Sequence, residues 1–466
     1  MNPEFERNLW LEASPRRLGW AAVVLVLVFG AVAVVTPEAD KLKALSICGG
    51  VIFFAAAFIW GPRNAGQTVL VEIGQRTWDF QRLSSLTPFA MTWGKLFGAT
   101  VLAWGVGVVG LLVLLLDPAP SIGSTALRAI GIGVLVQALT LAAALIGVRK
   151  ARAEGRQPSL RSILGGGIGV LVVIWALAGG SRLLGAAGQA GGLGQLLSLG
   201  KGAITWWGLS FQAEDFATVA ALVFAAWAFV AAWRLMRLEL QMRNAPWLWA
   251  GFLVFLAVFI AGFIPDDSRM FGATAFLRWA AAAFIFVAAA YAGAFIEPAD
   301  RVRLAGFGAA AKRGDWSRAY LMTPLTLAPL IMATLALVAV AFFSGDMVRA
   351  SESIGRSAGM LREMTPTLVA AGFVFLLRDI GVIVFFRFGP RPRRGDFGAI
   401  LALILLYWVL PLFGAAGAGS GAGMLGLALF APAPGHATVS LVSGGLQALA
   451  IWAFSVKRLR GPDPAA

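Results

Sequence analysis

Cysteine and histidine are almost absent from this sequence of 466 residues, which has one of each, Cys48 and His436. A single cysteine cannot form a disulfide within the chain, and a single histidine excludes metal centres built on two histidines. Charged residues make up only 13% of the chain, whereas a soluble protein usually has about 25%. Hydrophobic residues make up 59%, and the mean hydropathy is +0.81. These proportions exclude a disordered chain, a collagen-like fibre and an ordinary soluble enzyme, and they indicate a membrane protein with several spans.

Long apolar runs recur along the whole chain. A membrane helix needs about 20 consecutive, mostly apolar residues, and about twelve such runs are present, at 18–35, 44–61, 96–116, 127–148, 163–180, 216–233, 247–264, 273–295, 325–344, 367–386, 397–414 and 438–455. The runs are continuous rather than alternating, which favours helices over strands. The predicted fold class is therefore all-α, a polytopic membrane protein with about twelve transmembrane helices. Acidic residues such as Glu6 and Glu12 before the first run favour a retained helix over a secretion signal.

The net charge of +15 follows the predicted topology. If the N-terminus is cytoplasmic, the inner segments hold 27 of the 38 basic residues and the outer segments hold 9, with Arg278 and Arg378 inside spans. This is the positive-inside pattern of an inner-membrane protein with both termini in the cytoplasm. The basic excess is then explained by topology and by anionic membrane lipid, and it requires no nucleic-acid partner.

Several short motifs recur with nearly the same offset, which predicts an internal duplication. The offset is 236 residues for two dipeptides and 238 for a tryptophan: Arg7-Asn8 with Arg243-Asn244, Thr87-Pro88 with Thr323-Pro324, and Trp78 with Trp316. The sequence therefore predicts two six-helix halves, residues 1–233 and 234–466.

The loop 62–95 has the pattern of a helix lying on the membrane surface. Glu72 and Arg76 are four residues apart with the acid first, and an apolar face includes Phe80 and Leu83. Thr87 is a predicted N-cap and Pro88 a predicted first helical residue. We expect an amphipathic helix over residues 69–86, which either connects two spans or docks a cytoplasmic partner.

The motif Glu72-x3-Arg76-Thr77-Trp78-x7-Leu86-Thr87-Pro88, followed by Gly94-Lys95, resembles the coupling segment of type-2 ATP-binding-cassette (ABC) exporter permeases. Asp79 lies near a glutamate of the family pattern, and Ser84-Ser85 replace its leucines. The N-terminal segment and residues 234–247 resemble the connecting helix of that family. The segment RGDWSRAYLMTP (313–324) is a weaker second copy without the Glu-x3-Arg start, and its implied cytoplasmic helix covers about 312–322.

The resemblance implies the permease subunit of an exporter, powered by separate ABC-type ATPase subunits that use ATP and Mg²⁺. This chain would bind no cofactor of its own, and it contains no Gly-x4-Gly-Lys-Ser/Thr phosphate loop. Two arrangements are open for the pore: one chain forms it alone, or permease chains associate as homo- or hetero-oligomers. The implied coupling residues are Glu72, Arg76, Thr77, Trp78, Asp79, Arg82, Thr87 and Pro88 in the first half, and Arg313, Trp316, Arg318, Thr323 and Pro324 in the second. Trp78 would either anchor an ATPase groove or lie among the lipid headgroups.

Arg278, Arg378 and Asp379 are charged residues that lie well within predicted spans. Charges in a membrane need a partner or water, and we expect Asp379 to bridge to Arg278 because neighbouring residues on a helix do not face each other. An alternative function is a secondary transporter that uses an ion gradient through Asp379. A membrane enzyme acting on lipid or sugar is the third class, and the scattered acidic residues disfavour it.

Overall fold

The computed structural model describes residues 2–116, 122–153, 155, 157, 202–242, 246–265, 271–354, 365–389, 395–411 and 420–460. These residues are mostly helical, with one two-stranded hairpin, β1 (Ala203–Trp206) and β2 (Leu209–Gln212). The α-helices in the described ranges are α1 (Pro3–Glu12), α2 (Pro15–Val35), α3 (Lys41–Phe54), α4 (Gly61–Gly74), α5 (Trp78–Leu83), α6 (Pro88–Trp93), α7 (Val101–Leu114), α8 (Ile122–Ala153), α9 (Ala213–Glu239), α10 (Trp247–Ala261), α11 (Phe271–Ile296), α12 (Arg301–Lys312), α13 (Trp316–Met322), α14 (Leu327–Ile354), α15 (Pro366–Arg387), α16 (Gly395–Ile404), α17 (Ser420–Phe430) and α18 (Ala437–Arg460).

Eight helices in the described ranges are long and apolar enough to cross a membrane, and α6 with α7 make a ninth if this pair, bent by 51°, counts as one span. The chain is therefore a helical protein of the multi-pass membrane class. In the described ranges the number of such helices is below twelve, so the predicted twelve spans in two six-helix halves are not confirmed. The runs at 247–264 and 397–414 give helices below the length of the eight, and 15 residues of α10 reach only about 22 Å across a hydrocarbon core of about 30 Å. The run at 163–180 lies outside the described residues.

Polar caps followed by proline begin several of these helices. The Asn2 side chain accepts from the Glu4 N–H at the start of α1, and the Thr87 hydroxyl accepts from the Ala90 N–H at the start of α6. Thr365 caps α15 in the same way. The predicted roles of Thr87 as N-cap and Pro88 as first helical residue are confirmed.

The described residues fall into two compact units, and the first unit comprises those within Met1–Ile168, Gln195–Ile204 and Phe211–Asn244. In it α8 packs against α9 and α4, and α3 packs against α7. Glycines allow α3 and α7 to touch, since a Cβ on Gly49 would lie 2.5 Å from the Gly110 carbonyl oxygen. The predicted connecting helix at 234–247 is wrong for its first part, because α9 continues to Glu239.

A π-helical segment, Ala55–Trp60, joins α3 to α4 in one continuous helix. Such a segment shifts the backbone hydrogen bonds and leaves carbonyl groups for other donors. The fully buried Gln137 of α8 donates to the Ala57 carbonyl at 3.1 Å and accepts from the Trp104 indole N–H at 2.9 Å. A second π-helical segment, Gly94–Gly98, follows α6.

The second unit comprises Gly169–Gly194, Thr205–Ser210 and Ala245–Ala466. The first of these ranges lies outside the described residues. In it α11 packs against α14 and α10, and α15 packs against α18 and α16. The indole N–H of Trp206 donates to the Phe259 carbonyl at 2.9 Å, and the backbone N–H of Trp207 donates to the Gly262 carbonyl at 2.8 Å. The sequence analysis predicts no strand here. The positive φ values of Trp207 and Gly208, 51° and 75°, are those of a tight hairpin turn.

Candidate functional site

The predicted surface helix over residues 69–86 is two helices separated by a tight turn. Helix α4 ends at Gly74 and α5 begins at Trp78, so the prediction of one continuous helix is wrong. Arg76 takes the left-handed conformation with φ of 59°. The Thr77 N–H donates to the Glu72 carbonyl at 3.0 Å, and the Arg76 N–H donates to the Ile73 carbonyl at 3.1 Å. This is the Schellman arrangement that ends helices, with arginine where glycine is the usual residue.

Trp78 is buried by its own chain and is only 1% exposed. It packs in a core cluster with Ala65, Val69, Met91, Leu96, Ala138, Leu141, Ala142, Leu145, Val148, Ala228, Ala232 and Met236. Both predicted positions of this side chain, an ATPase groove and the headgroup layer, are therefore wrong. The outer side of α5 carries Phe80, 77% exposed, Leu83, 86% exposed, and the exposed side chain of Asp79.

A buried cluster of ionic groups lies beneath α5. The Lys95 ammonium donates to Glu4 Oε1 at 2.9 Å, to Gln81 Oε1 at 3.0 Å and to Glu72 Oε2. Arg7 also donates to Glu4 Oε1 at 2.9 Å and pairs with Glu72 Oε1. Lys95 is fully buried, and its Nζ lies 5.2 Å from the centre of the Trp78 ring.

Helix α1 is seated on the π-helical segment that carries Lys95. The Asn8 amide donates to the Gly94 carbonyl at 3.3 Å. A Cβ on Gly94 would lie 2.5 Å from Glu4 Cγ, and one on Gly98 would lie 2.8 Å from Asn8 Cβ. Only glycine at these two positions lets α1 approach so closely.

The other predicted residues of this segment have smaller roles in the structure. Arg82 lies 3.7 Å from Asp79, an ion pair near the surface, and such pairs contribute little. Arg76 is exposed in the turn, and the Thr77 hydroxyl donates to the Glu72 carbonyl at 3.2 Å. The sequence motifs predict no role for Lys95, and they do not identify Gln81, Glu4 and Arg7 as members of this cluster. The usable signal was a lysine next to an apolar run, which requires an acidic partner.

The second unit contains the same kind of turn, between a longer helix and a short one, as the turn at Arg76 in the first unit. Helix α12 ends at Lys312, Gly314 has φ of 72°, and α13 begins at Trp316. The Asp315 N–H donates to the Ala310 carbonyl at 3.0 Å. Asp315 and its acceptor lie 238 residues after Thr77 and Glu72, the same offset that relates Trp316 to Trp78.

The outer side of α13 is aromatic and basic. Trp316 is 71% exposed and Tyr320 is 44% exposed, and Arg313 and Arg318 are also exposed. Asp315 caps the helix, accepting from the Arg318 N–H at 3.1 Å and from the Ser317 hydroxyl at 3.0 Å. These hydrogen bonds hold the pKa of the Asp315 carboxyl below its usual value.

A partly exposed ion pair fixes the end of α13. Arg303 lies 3.1 Å from Glu297 Oε1 and donates to the Thr323 carbonyl at 2.9 Å. Glu297 Oε2 accepts from the Leu325 N–H at 2.8 Å, just after Pro324. The predicted residues Thr323 and Pro324 therefore lie at the junction between α13 and the next long helix.

The predicted bridge between Asp379 and Arg278 is wrong, because Asp379 pairs with its neighbour Arg378. Arg378 Nη2 lies 2.8 Å from Asp379 Oδ1, and both residues are buried. The hydroxyls of Tyr291 and Tyr407 donate to Asp379 Oδ2 at 2.6 and 2.7 Å. The arginine side chain is long enough for its Nε also to donate to Asp379 Oδ1 at 2.9 Å, although the two residues are neighbours on one helix.

Arg378 also connects helices of the second unit. Its Nη1 donates to the Phe430 carbonyl and to Gln447 Oε1, each at 2.9 Å. Arg278 instead donates to the Ile264 carbonyl at 3.2 Å and lies 4.4 Å from the centre of the Trp207 ring. Two of the chain's three tyrosines thus donate to one carboxylate. The hydrogen bonds of Arg378 and Asp379 connect five elements, namely α11, α15, the segment after α16, α17 and α18.

Comparisons with models of known protein families, with curated proteins and with solved structures found no match for this chain. The functional argument therefore depends on the motif and on the geometry described above.

Proposed function

We propose that this chain is the permease subunit of an ATP-driven ABC exporter in the cell inner membrane, moved by separate ATPase subunits. The observation that carries the proposal is the repeated unit of a helix, a Schellman turn and a short helix. Among the described residues it occurs at α4–α5 in the first compact unit and at α12–α13 in the second, with the same offset as the Trp78–Trp316 pair.

The exposed faces of the short helices support docking to a partner. Phe80 and Leu83 on α5, and Trp316 and Tyr320 on α13, are exposed although all four are apolar or aromatic. Such side chains anchor protein interfaces when a partner pocket covers them. Phe80 and Leu83 replace Trp78 in this role.

The ATPase must bind one state of the permease better than another if ATP is to drive transport. A push on α5 reaches the second and third apolar segments of the first unit, because α5 is bonded through Gln81 and Lys95 to α4 and to the segment after α6. ATP and Mg²⁺ belong to the partner in this proposal, since the sequence contains no phosphate loop.

A secondary transporter driven by an ion gradient is the second candidate, and the buried carboxylate of Asp379 favours it. Asp379 is 0% exposed and lies in α15, a helix long enough to span a membrane. Both of its oxygens, however, are engaged by Arg378, Tyr291 and Tyr407. This arrangement is that of a structural ion pair, so we place the ABC function first.

The test is co-purification of a phosphate-loop ATPase with the tagged chain from its native membranes. Phe80→Glu and Trp316→Glu should each weaken capture of the ATPase, because a charge enters the docking face. Leu209→Glu is the matched control, since Leu209 is an exposed apolar residue, 62% exposed, in the β-hairpin. Capture that is equal in all variants, or transport by the purified chain alone in a proton gradient, would refute the proposal.

A further inference from the structure

The Lys95 ammonium bonds to three separate segments of the first unit. Its acceptors are Glu4 on α1, Glu72 on α4 and Gln81 on α5, while Lys95 itself follows α6. An ammonium group has three N–H donors and no acceptor. Each donor of Lys95 therefore has its own acceptor on a different helix.

The cluster is balanced in charge, and only Arg7 of its charged members is partly exposed. Two cations, Lys95 and Arg7, meet two carboxylates, Glu4 and Glu72, and all but Arg7 are buried. Removing one member of such a cluster leaves an uncompensated buried charge. The planar guanidinium of arginine cannot direct donors to three acceptors spread around one nitrogen.

Helix α5 depends on this cluster for its position. It has only six residues, and so short a helix is not stable by itself. Its inner side consists of Trp78 and Gln81, of which Trp78 packs below the ammonium and Gln81 accepts from it. Its outer side is exposed, so α5 is fixed from one side only.

Two interruptions of helical geometry lie just beyond the segments that Lys95 joins. The π-helical segment Ala55–Trp60 separates α3 from α4, and a bend of 51° separates Gly98 from Val101. Interruptions of this kind are where helices bend. On the near side of both interruptions lie α1, α4, α5 and α6.

We propose that Lys95 is a positioning residue that joins α1, α4, α5 and α6 into one rigid block, which moves relative to α3 and α7 at these two interruptions. The block is a property of this chain alone, and its use in coupling to an ATPase rests on the proposed function. In the second unit the pair Arg303–Glu297 is more exposed, at 31% and 17% of the side chains. We therefore expect salt to loosen α13 and to leave α5 unchanged, because buried pairs are screened less.

The experiment is hydrogen–deuterium exchange on the full chain in lipid nanodiscs. In Lys95→Met, amides of both α1 and α5 should exchange faster by about tenfold or more, because local opening becomes easier for the whole block. Lys95→Arg should give the same result. Lys41→Met is the control, since Lys41 pairs only near the surface with Glu38 at 2.5 Å. Unchanged exchange in α1 and α5, or a change in α5 alone, would overturn the proposal.

Gln81→Leu keeps the test decisive if the Lys95 variants fail to fold. It removes the one uncharged acceptor and leaves the ion pairs, so α5 should exchange faster while α1 stays protected. Equal protection of α5 in this variant and in the natural chain would refute the positioning role. If the natural chain captures no ATPase, the proposed function fails. The exchange result still decides whether Lys95 joins these helices into one rigid block.

Discussion

Removal of the Asp379 carboxylate is the sharpest test of the ion pair inside the second unit. In Asp379→Ala the Arg378 guanidinium remains buried without its counter-charge, and the hydroxyls of Tyr291 and Tyr407 lose their acceptor. Breaking a buried pair by removing one partner costs about 3–5 kcal/mol. We therefore expect the free energy of unfolding to fall by about that amount.

The double replacement Arg378→Met with Asp379→Ala should cost about as much as either single replacement, and less than both together. With the guanidinium gone no charge is left buried, and the remaining loss is the hydrogen bonds to Tyr291, Tyr407, Gln447 and the Phe430 carbonyl, about 1 kcal/mol each. Residues in direct contact show such non-additivity, and here the coupling energy should be about the cost of one single replacement, about 3–5 kcal/mol.

The assay is reversible unfolding in mixed micelles, analysed as a double-mutant cycle. The control cycle pairs Asp379→Ala with Arg278→Met, because Arg278 bonds to the Ile264 carbonyl and contacts Trp207 rather than Asp379. The control pair should be additive. Additive effects for Arg378 with Asp379, or strong coupling of Arg278 with Asp379, would show that the ion pair described here is wrong.

Two further perturbations test other parts of the structure. Gly61→Ala places a Cβ 2.3 Å from the Gln137 amide nitrogen, so the amide must leave the Ala57 carbonyl. The free energy of unfolding should then fall by about 1–3 kcal/mol. The control is Gly74→Ala, which has open space around it and should leave the free energy of unfolding nearly unchanged. For Asp315 the folded pKa lies below the ordinary 3.8, so the cap on α13 should be complete above pH 3.8 and be lost as the pH falls through the lower folded value. Amide exchange in α13 measures this loss, and Asp315→Ala should abolish its pH dependence; an α13 equally protected on both sides of the transition would contradict the cap.

The apolar runs predicted the helices well, but they could not predict the polar contacts between side chains. Each run within the described residues lies on a helix, because a membrane leaves few other ways to satisfy the backbone. The break at Arg76 was not predicted because the helical spacing of apolar residues from Ile73 to Phe80 and Leu83 continues across it, and the left-handed residue is not a glycine. The hairpin was missed although Trp207-Gly208 is a usable turn signal.

The candidate sites were predicted only in part because side-chain partners far apart in sequence cannot be identified from local spacing. Tryptophan is a residue type that often anchors interfaces. The burial of Trp78, however, depends on α8 and α9, which lie far along the chain. Lys95 reaches Glu4 across 91 residues and Asp379 reaches Tyr291 across 88. The tight turn and the short helix were within reach, because their residues are neighbours in the sequence.

The predicted offset of 236 residues also indicates how the two units differ. Arg378 and Asp379 correspond by this offset to Ala142 and Ala143, which are buried at 5% and 7% exposure. The first unit has buried ions around Lys95, at the base of α5, and at Glu239, where α9 ends and pairs with Arg152 of α8. The second unit has a buried ion pair within α15, a helix of membrane-spanning length. An ion pair within a bundle resists movement of the helices that it joins, because any opening leaves a charge in hydrocarbon. We therefore expect the second unit to be the stiffer body within its spans, and the first unit to bend at Ala55–Trp60 and at the break after Gly98.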